Sequence, residues 1–185
     1  MQKMKILIIG TLGTGKTTLA MALSHETGYA YTSIDDCRTR YSDGTTDGED
    51  AAWHHFLIAC RDPSPGILEF SGGGPHLYEV RDALLGSGMP VSVIWIDMPH
   101  DLCIERASQR EIVIPAPFVW APIDYSVPAI HSGIEIAWER VWSAVPEFCA
   151  RRMVFPRDLP SSEIYLRVRS NLSGEIGSLS PNDTS

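Results

Sequence analysis

A glycine-rich segment near the start of the chain, ILIIGTLGTGKTT at positions 6–18, has the residue types that bind a chain of phosphates. It satisfies the pattern G-x-x-x-x-G-K-[ST] directly after an apolar run. In such a loop the glycines let backbone N–H groups turn toward the phosphates, the lysine contacts the outer phosphates and the hydroxyl ligates Mg²⁺. The alternative is a glycine-rich turn with a packing role only. We predict a site for ATP and Mg²⁺ formed by Gly10, Gly13, Thr14, Gly15, Lys16, Thr17 and Thr18, with Lys16 catalytic and Thr17 on the metal.

Two carboxylates and an arginine follow the second predicted strand, in the segment SIDDCRTR at positions 33–40. Transfer of a phosphoryl group to a hydroxyl needs a carboxylate that takes its proton and a cation that binds the acceptor or the developing charge. Successive strand residues face opposite ways, so only one of Asp35 and Asp36 can face the γ-phosphate. We assign catalysis to Asp35 and Arg38, with Arg38 and Asp36 also binding the acceptor. The alternative is a solvent-exposed turn in which Asp35 caps the next helix.

Strands and helices alternate along the chain. Apolar runs predict strands at 5–9, 29–34, 66–70, 91–96 and near 152–155. Helical spacing predicts helices at 17–25, 49–61, from 75, 99–110, 129–145 and after 161. The alternation predicts an α/β domain of three layers, α/β/α, with helices on both faces of a five-stranded parallel sheet. We place this domain at 1–170 and a flexible tail of small and polar residues at 171–185.

The segment from about 111 to 128 fits neither period, because prolines and aromatic residues interrupt it. We expect a mobile lid there. Arg106 and Arg110 lie four residues apart on the preceding predicted helix, so both can face the cleft when the lid closes. Arg110 would then stabilise charge during transfer, and Arg106 would contact the nucleotide. The alternative for Arg110 is a plain surface arginine.

Composition limits the partners. The formal charge of −8 repels phosphate backbones, so we do not expect nucleic acid as a partner. No run approaches the roughly 20 apolar residues of a membrane span, and the first residues do not resemble a signal peptide. We therefore expect a cytoplasmic protein. Its cysteines, which lack metal-site spacing, should be reduced core thiols: Cys37, Cys60, Cys103 and Cys149.

The phosphate loop and DDCR together resemble the small P-loop kinases of the P-loop NTPase superfamily. The Asp-Asp-x-Arg spacing is similar to that of the 5′-hydroxyl polynucleotide kinases, in which the first Asp is the base and the Arg helps to bind phosphate. ILEFSGGGPH, at 67–76, resembles the triple-glycine segment of shikimate kinases, where bare backbone meets the acceptor. VSVIWIDMPHDLCIERASQR, at 91–110, resembles the segment that leads into the lid of shikimate, gluconate and adenylate kinases.

This resemblance implies an acceptor pocket between the DDCR turn, the helix at 49–61, the triple glycine and the lid. Its predicted wall includes Trp53, Gly72, Gly73 and Gly74. By position, RDLP at 157–160 corresponds to the segment that contacts adenine in relatives, which would add Arg157 to the nucleotide site.

The chain also departs from the family pattern. Shikimate kinases hold their substrate carboxylate with an arginine in the helix after the second strand, whereas DGEDAAWHHFL at 47–57 contains none. Shikimate is therefore disfavoured as the acceptor. No aspartate ends the third strand, and Glu69 lies within it. We therefore expect Asp35 or Asp36 to contact the metal through water, with Asp35 as the metal-site carboxylate.

These observations together predict a kinase that uses ATP and Mg²⁺ to phosphorylate a hydroxyl of a small molecule. Two alternatives stay open. One is a polynucleotide 5′-hydroxyl kinase, and the other is a nucleotide-dependent switch or binding protein with slow hydrolysis. The lid-like segment, and the lack of the Asn-Lys-x-Asp motif that reads guanine, favour the kinase.

Overall fold

The computed structural model describes residues 3–109, 114–118, 121–157 and 159–174. Its strands are β1 (Lys5–Ile9), β2 (Ala30–Ser33), β3 (Gly66–Glu69), β4 (Val91–Asp97) and β5 (Phe148–Val154). They form one five-stranded parallel sheet in the order β2-β3-β1-β4-β5. β1, β3 and β4 are buried along their whole length, as apolar strands are when both faces are covered.

Helices cover both faces of the sheet. They are α1 (Lys16–Thr27), α2 (Ile34–Tyr41), α3 (Thr46–Arg61), α4 (Leu77–Gly86), α5 (His100–Ser108), α6 (Ile123–Ala137) and α7 (Ser161–Gly174). A π-helical turn, Trp138–Trp142, follows α6. The predicted three-layer α/β/α fold is confirmed.

Two apolar cores lie on opposite faces of the sheet. Leu7 and Ile9 pack with α3 and α4, whereas Ile6 and Ile8 pack with α1, α5 and α7. This division follows from the two-residue period of a strand. α6 contributes to both cores, through Ile134 on the first side and Val127 on the second.

α6 therefore crosses the carboxyl edge of the sheet. Thr11, which follows β1, donates its hydroxyl proton to the carbonyl oxygen of Val127 at 3.2 Å. Farther along α6, the backbone of Gly133 is so close to Gly73 that a Cβ on Gly73 would lie 3.3 Å from it. One helix thus contacts both the phosphate loop and the triple-glycine loop.

The predicted boundary between the second strand and the next segment is wrong. β2 ends at Ser33, and Asp35 and Asp36 lie in the first turn of α2. The side chain of Ser33 caps this helix by accepting a hydrogen bond from the backbone N–H of Asp36 at 2.9 Å. The period of a strand therefore does not separate the two aspartates, and the helix cap is Ser33 and not Asp35.

The predicted lid also ends earlier than expected. α6 begins at Ile123 and contains Pro128, so the last six residues of the predicted lid are helical. Pro128 removes one backbone hydrogen bond, but Val127 and Ile134 are fully buried, and this packing outweighs the low helix propensity of proline. Of the earlier part of the lid, 114–118 has no regular secondary structure, and 111–113 and 119–120 lie outside the described residues.

At the other end of the chain, α7 runs to Gly174 and buries Leu172, so the predicted boundary at 170 falls inside a helix. The rest of the predicted tail, 175–185, lies outside the described residues. Within the described ranges, no helix has the length and apolar character needed to cross a membrane.

The cysteine side chains are reduced thiols, not disulfides, within the described residues. Cys37, Cys60 and Cys103 are buried as predicted, and Cys149 is half-buried. Burial raises the thiol pKa to about 11 for Cys37, about 12 for Cys60 and about 11 for Cys103. These three side chains are therefore protonated packing residues at neutral pH.

Candidate active site

The phosphate loop joins β1 to α1, the strand and the helix between which its sequence pattern is expected to lie. Gly15 precedes α1 with φ of 85°. Gly13 has φ of 78°, and a side chain there would overlap the carbonyl oxygen of Cys103 on α5. Only glycine fits this position without displacing α5. The loop is further fixed by Thr11, whose carbonyl oxygen accepts hydrogen bonds from Thr14 Oγ1 at 3.0 Å and from Lys16 Nζ at 2.8 Å.

A buried carboxylate lies directly beside this loop. Glu69 is the last residue of β3, which pairs with β1 so that Glu69 lies opposite Ile8. Its Oε1 accepts a hydrogen bond from Thr17 Oγ1 at 3.0 Å, and its Oε2 accepts one from the Tyr31 hydroxyl at 2.5 Å. Glu69 therefore ends the third strand, and the expectation that it lies within that strand is wrong.

Tyr31 holds the Glu69 carboxylate in position. Burial raises the pKa of Tyr31 well above its usual value, and the negative charge of Glu69 raises it further. Tyr31 is therefore a permanent hydrogen-bond donor to Glu69. With one oxygen held by Tyr31 and the other next to Thr17, the carboxylate has a fixed orientation toward the phosphate loop.

This oxygen pair fits Mg²⁺. The ion binds oxygen ligands and is usually held by one or two protein oxygens, several waters and phosphate oxygens. The Thr17 hydroxyl and the Glu69 carboxylate provide such oxygens 3.0 Å apart at the amino end of α1. Asp35 instead lies on α2, where it accepts a hydrogen bond from Arg38 Nη1 at 3.1 Å. Its predicted place on the metal stays a prediction.

α2 begins at the same edge of the sheet as the Glu69 carboxylate, because Ser33 and Glu69 are paired residues of β2 and β3. Asp35 and Arg38 are one helical turn apart and form an ion pair at 3.1 Å. The side chain of Asp35 is 48% exposed, whereas that of Arg38 is 11% exposed. The structure thus leaves the predicted base open to solvent and encloses the predicted cation.

Glu49, which the sequence analysis did not single out, is the main partner of Arg38. Arg38 Nε donates to both carboxylate oxygens of Glu49, at 3.1 and 2.9 Å, and Nη2 donates to Oε1 at 2.5 Å. Burial alone would raise the pKa of Glu49, but its hydrogen bonds and charge contact with Arg38 outweigh this and lower it. Burial likewise opposes the charge of Arg38, yet the Glu49 contacts leave the Arg38 pKa raised. Both groups are therefore ionised.

Trp53 and the triple glycine, the other predicted acceptor residues, are linked through His76. Trp53 is buried, donates its indole N–H to Glu49 Oε1 at 2.8 Å and stacks on the ring of His76 at 4.3 Å. His76 lies two residues after the glycines and directly before α4. Gly72 has φ of 100°, and a Cβ there would lie 2.7 Å from Ile9. This close packing on β1 requires glycine and fixes the start of the loop.

A cavity of about 400 Å³ lies on the other side of the phosphate loop. Its lining brings together predicted nucleotide-binding residues, namely Thr14, Gly15, Thr18 and Arg106, with Ile164 and Tyr165 of α7. Most of its accessible surface is apolar, as a pocket for a nucleobase requires. The guanidinium of Arg106 lies 3.6 Å from the sulfur of Met98.

The predicted nucleotide-binding residue Arg157 is not brought to this cavity. Arg157 forms ion pairs with Asp101 and, at 2.7 Å, with Glu105, both on α5, and it is absent from the described cavity lining. These contacts do not support the predicted role of Arg157 in binding the nucleotide. Arg110 lies outside the described residues.

The sequence matches a family model described as an AAA domain over residues 6–113. This span is more than half of the 185 residues, and the chain belongs to that family. No curated protein matches the sequence significantly.

Solved kinases share the fold over nearly the whole chain. A shikimate kinase from Acinetobacter baumannii matches with a TM-score of 0.65 and 14% identity, over 97% of this chain and 97% of that chain. A sugar kinase from Janibacter sp. HTCC2649 matches at 0.58 and 19%, over 92% and 95%. A gluconokinase from Sinorhizobium meliloti 1021 matches at 0.54 and 18%, over 94% and 97%. These likenesses establish the fold, which is that of the small P-loop kinases, as the sequence predicts.

Proposed function

We propose that this protein transfers the γ-phosphoryl group of ATP, with Mg²⁺, to a hydroxyl group of a small molecule. The observation that carries the proposal is the hydrogen bond of Thr17 to Glu69. Glu69 ends β3, and the neighbouring strand β2 leads into the helix that bears Asp35. A metal-site hydroxyl, a buried carboxylate and an exposed carboxylate at one sheet edge suit phosphoryl transfer to a hydroxyl. The names of the similar structures, which include a shikimate kinase, a sugar kinase and a gluconokinase, agree with it.

In this proposal, each residue has a separate task. Lys16 binds the outer phosphates, and the oxygens of Thr17 and Glu69 hold the metal and its waters. The metal, when bound, neutralises charge on the phosphate oxygens. Asp35 orients the acceptor hydroxyl and accepts its proton, a role that its solvent-exposed carboxylate permits. Arg106 lies along the nucleotide cavity.

The acceptor side is proposed to lie between α2, α3 and the triple-glycine loop. Trp53 forms a rigid part of this wall through its contacts with Glu49 and His76. Gly74, where a side chain would meet open space, can expose its backbone to the acceptor. A small hydroxyl compound suits this place better than a polynucleotide, because the chain carries a net charge of −8.

The test is a screen for acceptor-dependent ADP release. Purified protein is incubated with ATP, Mg²⁺ and pools of sugars, nucleosides, antibiotics or 5′-hydroxyl oligonucleotides, and the product is identified by ³¹P NMR. We expect one small-molecule pool to raise ADP release well above the level without acceptor. Lys16→Ala should abolish the increase, whereas the matched surface variant Arg167→Ala should keep it. Slow ATP hydrolysis that no pool accelerates would instead support the switch, and 5′-labelling would support the polynucleotide kinase.

A further inference from the structure

We propose that the acceptor is a hydroxyl compound without an acidic group, such as an uncharged polyol or an amino alcohol. This inference rests on the proposed function, because it names the class of compound that the same site would phosphorylate. It follows from the charge balance around Arg38. An arginine beside an acceptor site suggests an anionic acceptor, but here each of its three nitrogens already donates to a carboxylate of this chain.

The donors of Arg38 face two carboxylates. Nε and Nη2 form a two-pronged contact with Glu49, and Nη1 donates to Asp35. Each of the three guanidinium nitrogens therefore donates to a carboxylate of this chain. An acidic acceptor could form a two-pronged contact with Nε and Nη2 only by displacing Glu49, which is itself buried and would lose its charged partner.

The flat faces of the guanidinium are also approached by side chains. Its Cζ lies 5.8 Å from the ring centre of Trp53 and 5.9 Å from that of Phe118. Phe118 belongs to the segment 114–118, and the carbonyl oxygen of Ala116 lies 3.9 Å from the Cβ position of Gly44 before α3. Arg38 is therefore enclosed between α2, α3 and this segment, in agreement with its 11% exposure.

The cluster of Asp35, Arg38 and Glu49 has a formal charge of −1, since its two carboxylates share one guanidinium. His76, directly before α4, also faces a carboxylate, with its Nδ1 2.8 Å from Glu79 of that helix. The described charged groups of this wall thus repel an acid and attract an amine. A neutral hydroxyl compound is unaffected, and it can still donate its proton to Asp35.

The experiment compares compounds that share a scaffold and differ in charge. Glucose, glucosamine and glucuronate form one such set, and neutral, aminated and carboxylated members of cyclitol and nucleoside sets extend it. Binding to protein saturated with AMP-PNP and Mg²⁺ is measured by saturation-transfer difference NMR, and phosphorylation by ADP release. We expect neutral or aminated members to bind about 10-fold or more tightly than the acidic member of the same set.

Glu49→Gln removes one negative charge and keeps a hydrogen-bonding side chain, so it should reduce this discrimination to about threefold or less. Glu163→Gln removes a glutamate from an exposed pair with Arg167 on α7 and serves as the matched control. If Glu49→Gln does not fold, as judged by circular dichroism, the binding ratios of the parent protein decide alone.

The outcomes separate the two proposals. Binding of acidic members as tightly as their neutral partners, or phosphorylation of an acidic acceptor only, overturns this inference and leaves the kinase intact. Discrimination against acids in binding without phosphorylation of any compound overturns the proposed function and keeps the charge preference. Absence of binding by every member of every set overturns both.

Discussion

Glu69→Gln tests whether the carboxylate beside Thr17 serves the metal. The substitution keeps the size of the side chain and removes its charge. An ionised carboxylate has no proton to donate to a phosphate. Glu69 can therefore contribute only through Thr17 and the waters of the metal. Groups that orient metal ligands in this way change metal affinity or activity by about 10- to 100-fold when they are replaced. We expect an effect of that size on the Mg²⁺ concentration for half-maximal turnover, or on turnover itself.

Glu69→Gln should not weaken the binding of ATP in the absence of the metal. Removing a negative charge beside a triphosphate cannot weaken the attraction of the loop for phosphate, so ATP affinity in EDTA should be unchanged or higher. Tyr31→Phe is the matched control, because it removes one hydrogen bond to the same carboxylate and leaves the charge. It should change the Mg²⁺ concentration for half-maximal turnover less than Glu69→Gln does, because the negative charge beside Thr17 remains. ATP consumption at varied Mg²⁺ and calorimetric ATP binding in EDTA give the two quantities. A Glu69→Gln protein with the parent Mg²⁺ dependence and turnover would refute the assignment.

Four other substitutions test neighbouring groups. Lys16→Ala should weaken binding of ATP·Mg²⁺ or abolish turnover while the thermal melting curve is preserved, and unchanged titration and kinetics would exclude its phosphate role. Asp35→Asn should leave ATP affinity intact and slow single-turnover transfer by about 10² or more, with a smaller effect of Asp36→Asn; the reverse order would identify Asp36 as the base. Because the pKa of Glu49 is lowered from 4.5 in the folded protein, its stabilising contribution is present above that pH and is lost as the pH falls below it. Urea unfolding at pH 7 and in steps below pH 4.5 should therefore show a smaller acid loss in Glu49→Gln than in the parent.

The features that local sequence could predict were those whose residues are neighbours in the chain. The phosphate loop needs its glycines, lysine and threonine within eight consecutive positions, 10–17, and the structure has them between the end of β1 and the first turn of α1. The apolar runs of β1 and β4 also predict central strands, since both faces of each are covered.

The start of α2 could also have been predicted, but from a different local signal. Ser33 followed three residues later by Asp36 is a helix N-terminus pattern, because a serine cap accepts a backbone N–H and acidic residues suit the first turn. The apolar and β-branched residues before it favour a strand, and the expectation extended that strand one residue too far. Because the strand ends at Ser33, the two aspartates are placed by the geometry of a helix and not by that of a strand.

The partners of Thr17 and Arg38 could not be predicted in this way. Glu69 meets Thr17 only because β3 inserts between β2 and β1 with a particular register, a contact that spans 52 positions of sequence. Glu49 reaches Arg38 because the chain reverses between α2 and α3. Both contacts depend on how separate strands and helices pack against one another. A short pattern in one sequence does not predict that packing.

The path of α6 has a consequence for how the two substrates affect each other. This helix accepts a hydrogen bond from Thr11 next to the phosphate loop and packs its Gly133 backbone on the triple-glycine loop. If ATP shifts α6 through the first contact, the second contact transmits the shift to the acceptor. Thermodynamic linkage then requires reciprocity, so the factor by which ATP changes acceptor affinity equals the factor by which acceptor changes ATP affinity. We expect Gly73→Ala, which places a methyl group 3.3 Å from the Gly133 backbone at the second contact, to alter this shared factor more than it alters the affinity for ATP alone.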